Sequence, residues 1–227
     1  MVETVLRRSR RRAVEQMAVA AAEYAAMGWT VCRGTYPPRL LQHQRPQHQR
    51  ELQRACSCDR LGCPAPGAHP VSPAWKVQAT ADPAVVEHWW MAQPRANVIL
   101  VTGRIFDVLD VPAGAGAAAL ALMERSAVEP GPVAISTGNR ALFFVATRGR
   151  PADEDEWWSC HLDSEPEAVS EGAGLRWHCR ASYVLAPPSM DSSGLRAQWL
   201  RPPDGRPLPD PLRLLGFVAD ACEGSES

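Results

Sequence analysis

The chain has 227 residues, is 45% hydrophobic and carries a formal net charge of -1. That is enough for a sizeable core, and it excludes a global field that would gather nucleic acid. No apolar run reaches the ~18 residues of a membrane-spanning helix. The basic start, Arg7 to Arg12, leads into an Ala-rich run that mimics a signal peptide. Glu15 and Glu23 interrupt that run, so a cytoplasmic chain with no membrane partner is expected. Seven cysteines in such a chain argue for metal or free thiols rather than disulfides. Lys76 is the only lysine among 24 basic residues, a bias that suits phosphate binding but that genome composition explains better.

Residues 1–12 read as a disordered basic arm and 13–222 as the folded domain, with a tail over 223–227. Ala13 to Met27 has apolar side chains at helical spacing (Val14, Met17, Ala18, Ala21, Tyr24, Ala25), and Gly28 is a stop. A short strand follows at Trp29 to Cys32, closed by Pro37-Pro38. Arg39 to Arg54, rich in Gln, His and Arg, reads as an exposed insertion.

Asp82-Pro83 places an N-cap and a proline at the first position of a helix that runs to about Met91. Asn97 to Pro112 reads as a strand pair, two apolar runs around a tight Thr102-Gly103-Arg104 turn. A helix over Gly114 to Ala127 follows. Strands at Val133 to Ser136 and Ala141 to Ala146 are joined by Thr137-Gly138-Asn139-Arg140. Pro151 to Glu156 is acidic and exposed, and Trp157 to Glu171 has no clear pattern. Short strands are predicted at Leu175 to His178, Ser182 to Ala186 and Gln198 to Leu200, and a terminal helix over Pro209 to Cys222. Mixed helices and adjacent strand pairs give an α+β class.

Two features carry chemistry. Cys56, Cys58, Cys63 and His69 form C-x-C-x4-C-x5-H within a Gly-, Pro- and Ala-rich loop. Three thiolates and an imidazole fit a closed tetrahedral zinc site, structural because no ligand position is left open, with free thiols in a loop as the alternative. The second feature is the strand Ile105 to Val111 with Asp107 and Asp110. A buried carboxylate is costly without a metal, a cation or water at a strand end.

The order of these pieces resembles the bifunctional DNA primase/polymerase N-terminal (prim-pol) domain of the archaeo-eukaryotic primases, over about Ala20 to Trp199. The resemblance rests on Gly28-Trp29-Thr30-Val31, the Cys56-Ser57-Cys58 to Pro70 knuckle, Ala79 to Pro83 with Trp89-Trp90 and Asn97, Thr102-Gly103 before an acidic strand, and Ala186-Pro187-Pro188-Ser189. It implies a prim-pol-like mixed sheet flanked by helices, with the zinc knuckle as a loop insertion.

The family's chemistry sits on a D-x-D pair, a turn with a histidine near the nucleotide phosphates, and a later acidic residue. Here Asp110 matches the first acid, but Pro112 stands in the second position. Asp107, three residues earlier, is expected on the opposite strand face. Ala141 stands at the histidine position and Arg176 at the later acid.

The resemblance therefore implies a primase/polymerase-like protein that has lost catalysis and binds nucleotide or DNA, or acts as a regulatory or protein-binding module. Asp110 and Asp107 are then a relic of the active site. Nucleotide contacts fall on Thr137, Gly138, Arg140, Arg176 and Ser189. Arg140 and Arg176 are read equally as phosphate contacts or as ion-pair partners of Asp110. One alternative is an active nucleotidyltransferase using Asp107 and Asp110 with Mg or Mn; another is a zinc-stabilised protein-interaction module.

Overall fold

The computed structural model describes residues 15–37, 56–58, 60, 62–147 and 174–225. The basic arm, the 39–54 insertion and the acidic segment 151–171 lie outside the described residues. The fold is mixed α+β, with antiparallel sheets and flanking helices. It divides into two compact units, one reaching Leu100 and including Pro188–Arg196, the other Val101–Pro187 with Ala197–Ser227.

In the first unit, residues 15–26 form α1. Met17, Ala20, Ala21, Tyr24 and Ala25 are its buried stripe. Gly28, at φ +78, ends the helix, and the Trp29 amide donates to the Tyr24 carbonyl in a Schellman closure. Trp29 stacks on Tyr24. It therefore belongs to the helix stop, and the strand β1 (Val31–Gly34) starts two residues later than expected. A short helix α2 (Trp75–Gln78) precedes α3 (Pro83–Ala92). Asp82 caps α3 as predicted, its carboxylate accepting from the amides of Ala84 (2.9 Å) and Val85 (3.4 Å). Strand β2 (Asn97–Val101) pairs antiparallel with β1, Val31 opposite Leu100 and Gly34 opposite Asn97.

The second unit holds a five-stranded antiparallel sheet of order β6-β3-β5-β4-β8. Its strands are β3 (Phe106–Pro112), β4 (Val133–Ile135), β5 (Arg140–Ala146), β6 (Arg176–His178) and β8 (Gln198–Arg201). Strand β7 spans Tyr183–Leu185. Helices α4 (Ala113–Arg125) and α5 (Pro211–Ser225) cover one sheet face. The core there is Leu109, Val111, Ala119, Met123, Phe143, Val145, Trp177, Leu214 and Val218. A Cβ at Gly116 would come within 2.3 Å of the Ala141 Cβ, so only glycine lets α4 approach β5 this closely.

The two apolar runs of 97–112 do not form a hairpin: β2 pairs with β1, and β3 pairs with β5 and β6. Thr102 and Gly103 serve a different turn. The Thr102 amide donates to the Ser182 carbonyl (3.0 Å) and its hydroxyl to the Cys179 carbonyl (2.6 Å). A Cβ at Gly103 would lie 2.3 Å from Arg180 Cα, at a φ of +79. The predicted Thr137–Arg140 hairpin does form, with Asn139 in the left-handed region at φ 56. Pro112 ends β3, as its missing amide requires, and α4 starts at the next residue.

Candidate functional site

Strand alternation sorts the β3 side chains. Register with β5 is continuous from Phe106 to Pro112, without a bulge. Asp107, Leu109 and Val111 therefore share the helix-covered face, while Val108, Asp110 and Pro112 share the other. Asp107 is buried there, and its Oδ2 accepts from the Trp177 indole N–H at 3.3 Å. The two aspartates point to opposite sides and do not converge.

Around Asp110 the register assembles three bases. Arg176 on β6 is directly opposite it, and His178 is opposite Val108 on the same face. Arg140 on β5 is opposite Pro112, and its side chain reaches back. The Arg140 Nε donates to Asp110 Oδ1 at 2.5 Å, and its Nη2 donates to the carbonyls of Asp110 (2.9 Å) and Gly174 (2.7 Å). The His178 Nε2–H donates to Asp110 Oδ2 at 3.0 Å, because an ionised carboxylate only accepts. Both carboxylate oxygens thus hold a base. Of the two arginines weighed as partners, Arg140 makes a direct hydrogen-bonded ion pair with Asp110, and Arg176 feels the Asp110 charge from the adjacent strand.

The Arg176 guanidinium is pushed to a lower pKa, first by burial and then by the Arg140 cation, with Asp110 opposing. The Asp110 side chain is only 7% exposed and that of Arg140 14%, so water does little to screen the pair.

Ser182 Oγ lies 3.0 Å from the His178 Nδ1, giving the chain Ser182–His178–Asp110. The order is that of a serine-hydrolase triad. A nucleophile needs access to substrate, however, and Ser182 is buried at 1% exposure. The chain orients the imidazole and nothing more.

The remaining predicted contacts are dispersed. Thr137 is half-buried and Gly138 exposed in the β4–β5 turn. The Asn139 carbonyl of that turn accepts the Ala113 amide (3.1 Å) at the start of α4. Ala141 lies on the helix-covered face with Phe143 and Val145, against Gly116. It is Arg140 that shares the Asp110 face. Ser189, in the first unit, is fully buried, and its hydroxyl bonds the Val98 amide (2.9 Å) and carbonyl (3.3 Å). His178 and Ser182 are the site residues that sequence reasoning missed. The available signal was alternation on β6, where a residue two beyond Arg176 must share its face.

The Cys–His cluster lies in the first unit. The ligand atoms of Cys56, Cys58, Cys63 and His69 all lie within 4.8 Å of one another. His69 Nε2 is 3.4 Å from Cys56 Sγ and 3.3 Å from Cys63 Sγ. A tetrahedral ion about 2.3 Å from sulfur and about 2.0 Å from nitrogen sets edges of about 3.5–3.8 Å, so the four positions fit a metal. The His69 Nδ1 is 2.8 Å from the Pro70 carbonyl. Donation there fixes the tautomer and turns the Nε2 lone pair toward the sulfurs.

Burial pushes the Cys56 thiol up, but hydrogen bonds from Thr35, Gly67 and Cys58 outweigh it and lower it to about 6. Cys63 goes the other way, to about 12, through burial and its Cys58 and Cys56 neighbours. An anionic sulfur held in this way attracts a cation, and metal then ionises the rest. Among the described residues, no helix is long and apolar enough to cross a membrane.

No curated protein matches the chain. Residues 21–211 match the family described as bifunctional DNA primase/polymerase, N-terminal. That match covers both the Cys–His cluster and the Asp110 face, and the chain belongs to this Prim-Pol family.

Proposed function

We propose that this primase/polymerase-like protein is catalytically inactive and works as a nucleotide- or nucleic-acid-binding module. The observation that carries this is the neutralised carboxylate: Arg140 and His178 occupy both oxygens of Asp110. Two-metal nucleotidyl transfer needs several oxygen ligands around ions about 3.5–4 Å apart. Among the described residues, proline at 112, Arg176 opposite Asp110, and Asp107 on the far face leave a single acid on this face, and bases hold both of its oxygens. A guanidinium hydrogen-bonded to the carboxylate competes directly with a divalent cation. In place of metal, the Arg140 and Arg176 face with the Thr137-Gly138 turn offers cationic donors to phosphate.

We assign Ser189 to holding β2 rather than to ligand, because its hydroxyl accepts from the Val98 amide and donates to the Val98 carbonyl. The ion in the Cys56–His69 cluster is read as zinc, with a structural role, since three thiolates and one imidazole complete its shell. Zinc there supplies folding energy to a loop with little apolar surface of its own. The test is primer synthesis on single-stranded templates with magnesium and with manganese. No product is expected. Incorporation that Asp110→Ala abolishes would overturn the reading in favour of an active nucleotidyltransferase.

A further inference from the structure

The four ligand residues of the metal knuckle divide into a buried pair and a half-buried pair. Cys56 is 1% exposed and His69 8%, whereas Cys58 and Cys63 are half-buried. The buried pair is also the anchored pair. The Gly67 amide donates to the Cys56 sulfur at 3.4 Å. Thr35 donates its amide (2.8 Å) and its hydroxyl (3.0 Å) to the His69 carbonyl. Between Cys58 and Cys63, Arg60 and Gly62 are exposed, and a Cβ at Gly62 would meet nothing within 4 Å. An oxidant arriving through water therefore meets Cys58 and Cys63 first, in a loop with room to shift. Their sulfurs already lie within 4.8 Å of each other. A movement of at most about 3 Å closes that gap to a disulfide bond.

The half-buried side of the knuckle also holds the end of β1. Ser57, between Cys56 and Cys58, exchanges two hydrogen bonds with Tyr36. Its Oγ accepts the Tyr36 amide (3.0 Å), and its own amide donates to the Tyr36 carbonyl (3.2 Å). A change at Cys58 is thus felt one residue away, at the contact that fixes Tyr36.

We propose that the knuckle is a reversible thiol switch: a peroxide joins Cys58 to Cys63, the metal leaves, and the chain at Tyr36 is released. One of the two thiolates attacks the peroxide O–O bond, forming an S–O bond and expelling hydroxide. The other attacks that sulfur, forming the S–S bond, and the S–O bond breaks with loss of a second hydroxide. The two thiolates lose two electrons in total, and the peroxide gains them. Cys56 and His69 then remain, too few donors for a tetrahedral shell. A dithiol reductant reverses the exchange and restores all three thiols. The inference rests on the reading of the cluster as a zinc site, and it adds a redox control to that site.

The test treats the full zinc-loaded chain with hydrogen peroxide in the presence of a metallochromic chelator. Zinc should be released stoichiometrically, and peptide mapping after alkylation should find a Cys58–Cys63 disulfide. Cys56 should still alkylate once the chain is denatured, as should Cys32, which is 4% exposed. Dithiothreitol with added zinc should return the metal to the chain. Hydrogen exchange should quicken about fivefold or more at the Tyr36 and Ser57 amides, the loss of about one hydrogen bond each. The Val31 amide, bonded to the Thr80 carbonyl at 2.9 Å at the other end of β1, should change little.

Zinc retained in excess peroxide would overturn the proposal and leave the zinc reading intact. Release with the disulfide on another cysteine pair, or with no disulfide, would also overturn it. So would oxidation that dithiothreitol cannot reverse. A chain isolated without zinc, and unable to take it up, overturns both the switch and the zinc reading.

Discussion

Replacing Arg140 by leucine tests whether its pair with Asp110 holds the sheet together. The guanidinium makes one charge-assisted bond to Asp110 Oδ1 and two bonds to the carbonyls of Asp110 and Gly174. At about 1.5–3 kcal/mol for the first and about 1 kcal/mol for each of the others, the loss is about 4 kcal/mol. Breaking a buried pair by removing one partner gives an independent figure of about 3–5 kcal/mol. For a chain of this size that is a fall in melting temperature of roughly 8–16 °C. Leucine at both 110 and 140 should cost less than the two single changes added together, because each single change already breaks the shared pair. Urea unfolding followed by tryptophan fluorescence, in a double-mutant cycle, reads both numbers. A cost below about 1 kcal/mol for Arg140→Leu, the range of an exposed pair, would refute the reasoning.

Elemental analysis should find stoichiometric zinc. Cys63→Ser should lower metal affinity by at least about tenfold, since it removes a thiolate from a closed shell. In the metal-free chain, Cys56 sits at about 6, below its ordinary 9.0. A depressed pKa means that its stabilising contribution is present above 9, and is lost as pH falls toward and through 6. Thiolate ultraviolet absorbance should therefore show one group titrating near 6, and metal release should steepen below that pH. Gly103→Ala forces a Cβ to within 2.3 Å of Arg180 Cα at a φ of +79. It should cost about 3 kcal/mol or more by thermal melting, whereas Gly138→Ala, with only the Ser136 hydroxyl at 3.8 Å, should be nearly neutral.

Elements whose signal is local were legible from sequence. The Asp82-Pro83 helix start needs only a cap and a fixed φ, and both act within four residues. The Thr137–Arg140 turn and the C-x-C-x4-C-x5-H cluster are likewise short-range patterns. Strand pairing is not local. Runs 97–101 and 105–111 look like a hairpin because they are adjacent and apolar. Thr102 and Gly103 instead clasp the turn at Cys179–Ser182, far along the chain.

The same limit hid His178. Its contact with Asp110 spans 68 residues and exists only in the β3–β6 register. Alternation alone did place Asp107 away from Asp110, because a regular strand allows no other outcome without a bulge. Sequence did not show that Arg140 would be the arginine that hydrogen-bonds Asp110. Arg176 is directly opposite Asp110, but the longer diagonal reach from Arg140 also collects two carbonyls.

The central claim is that bases, not metal, fill the Asp110 face. Electron paramagnetic resonance of manganese added to the zinc-loaded chain measures this directly. The account predicts that, without nucleotide, the free-ion signal stays as in buffer, and that Asp110→Ala changes nothing. A bound manganese population at micromolar concentration, lost in Asp110→Ala, would contradict it.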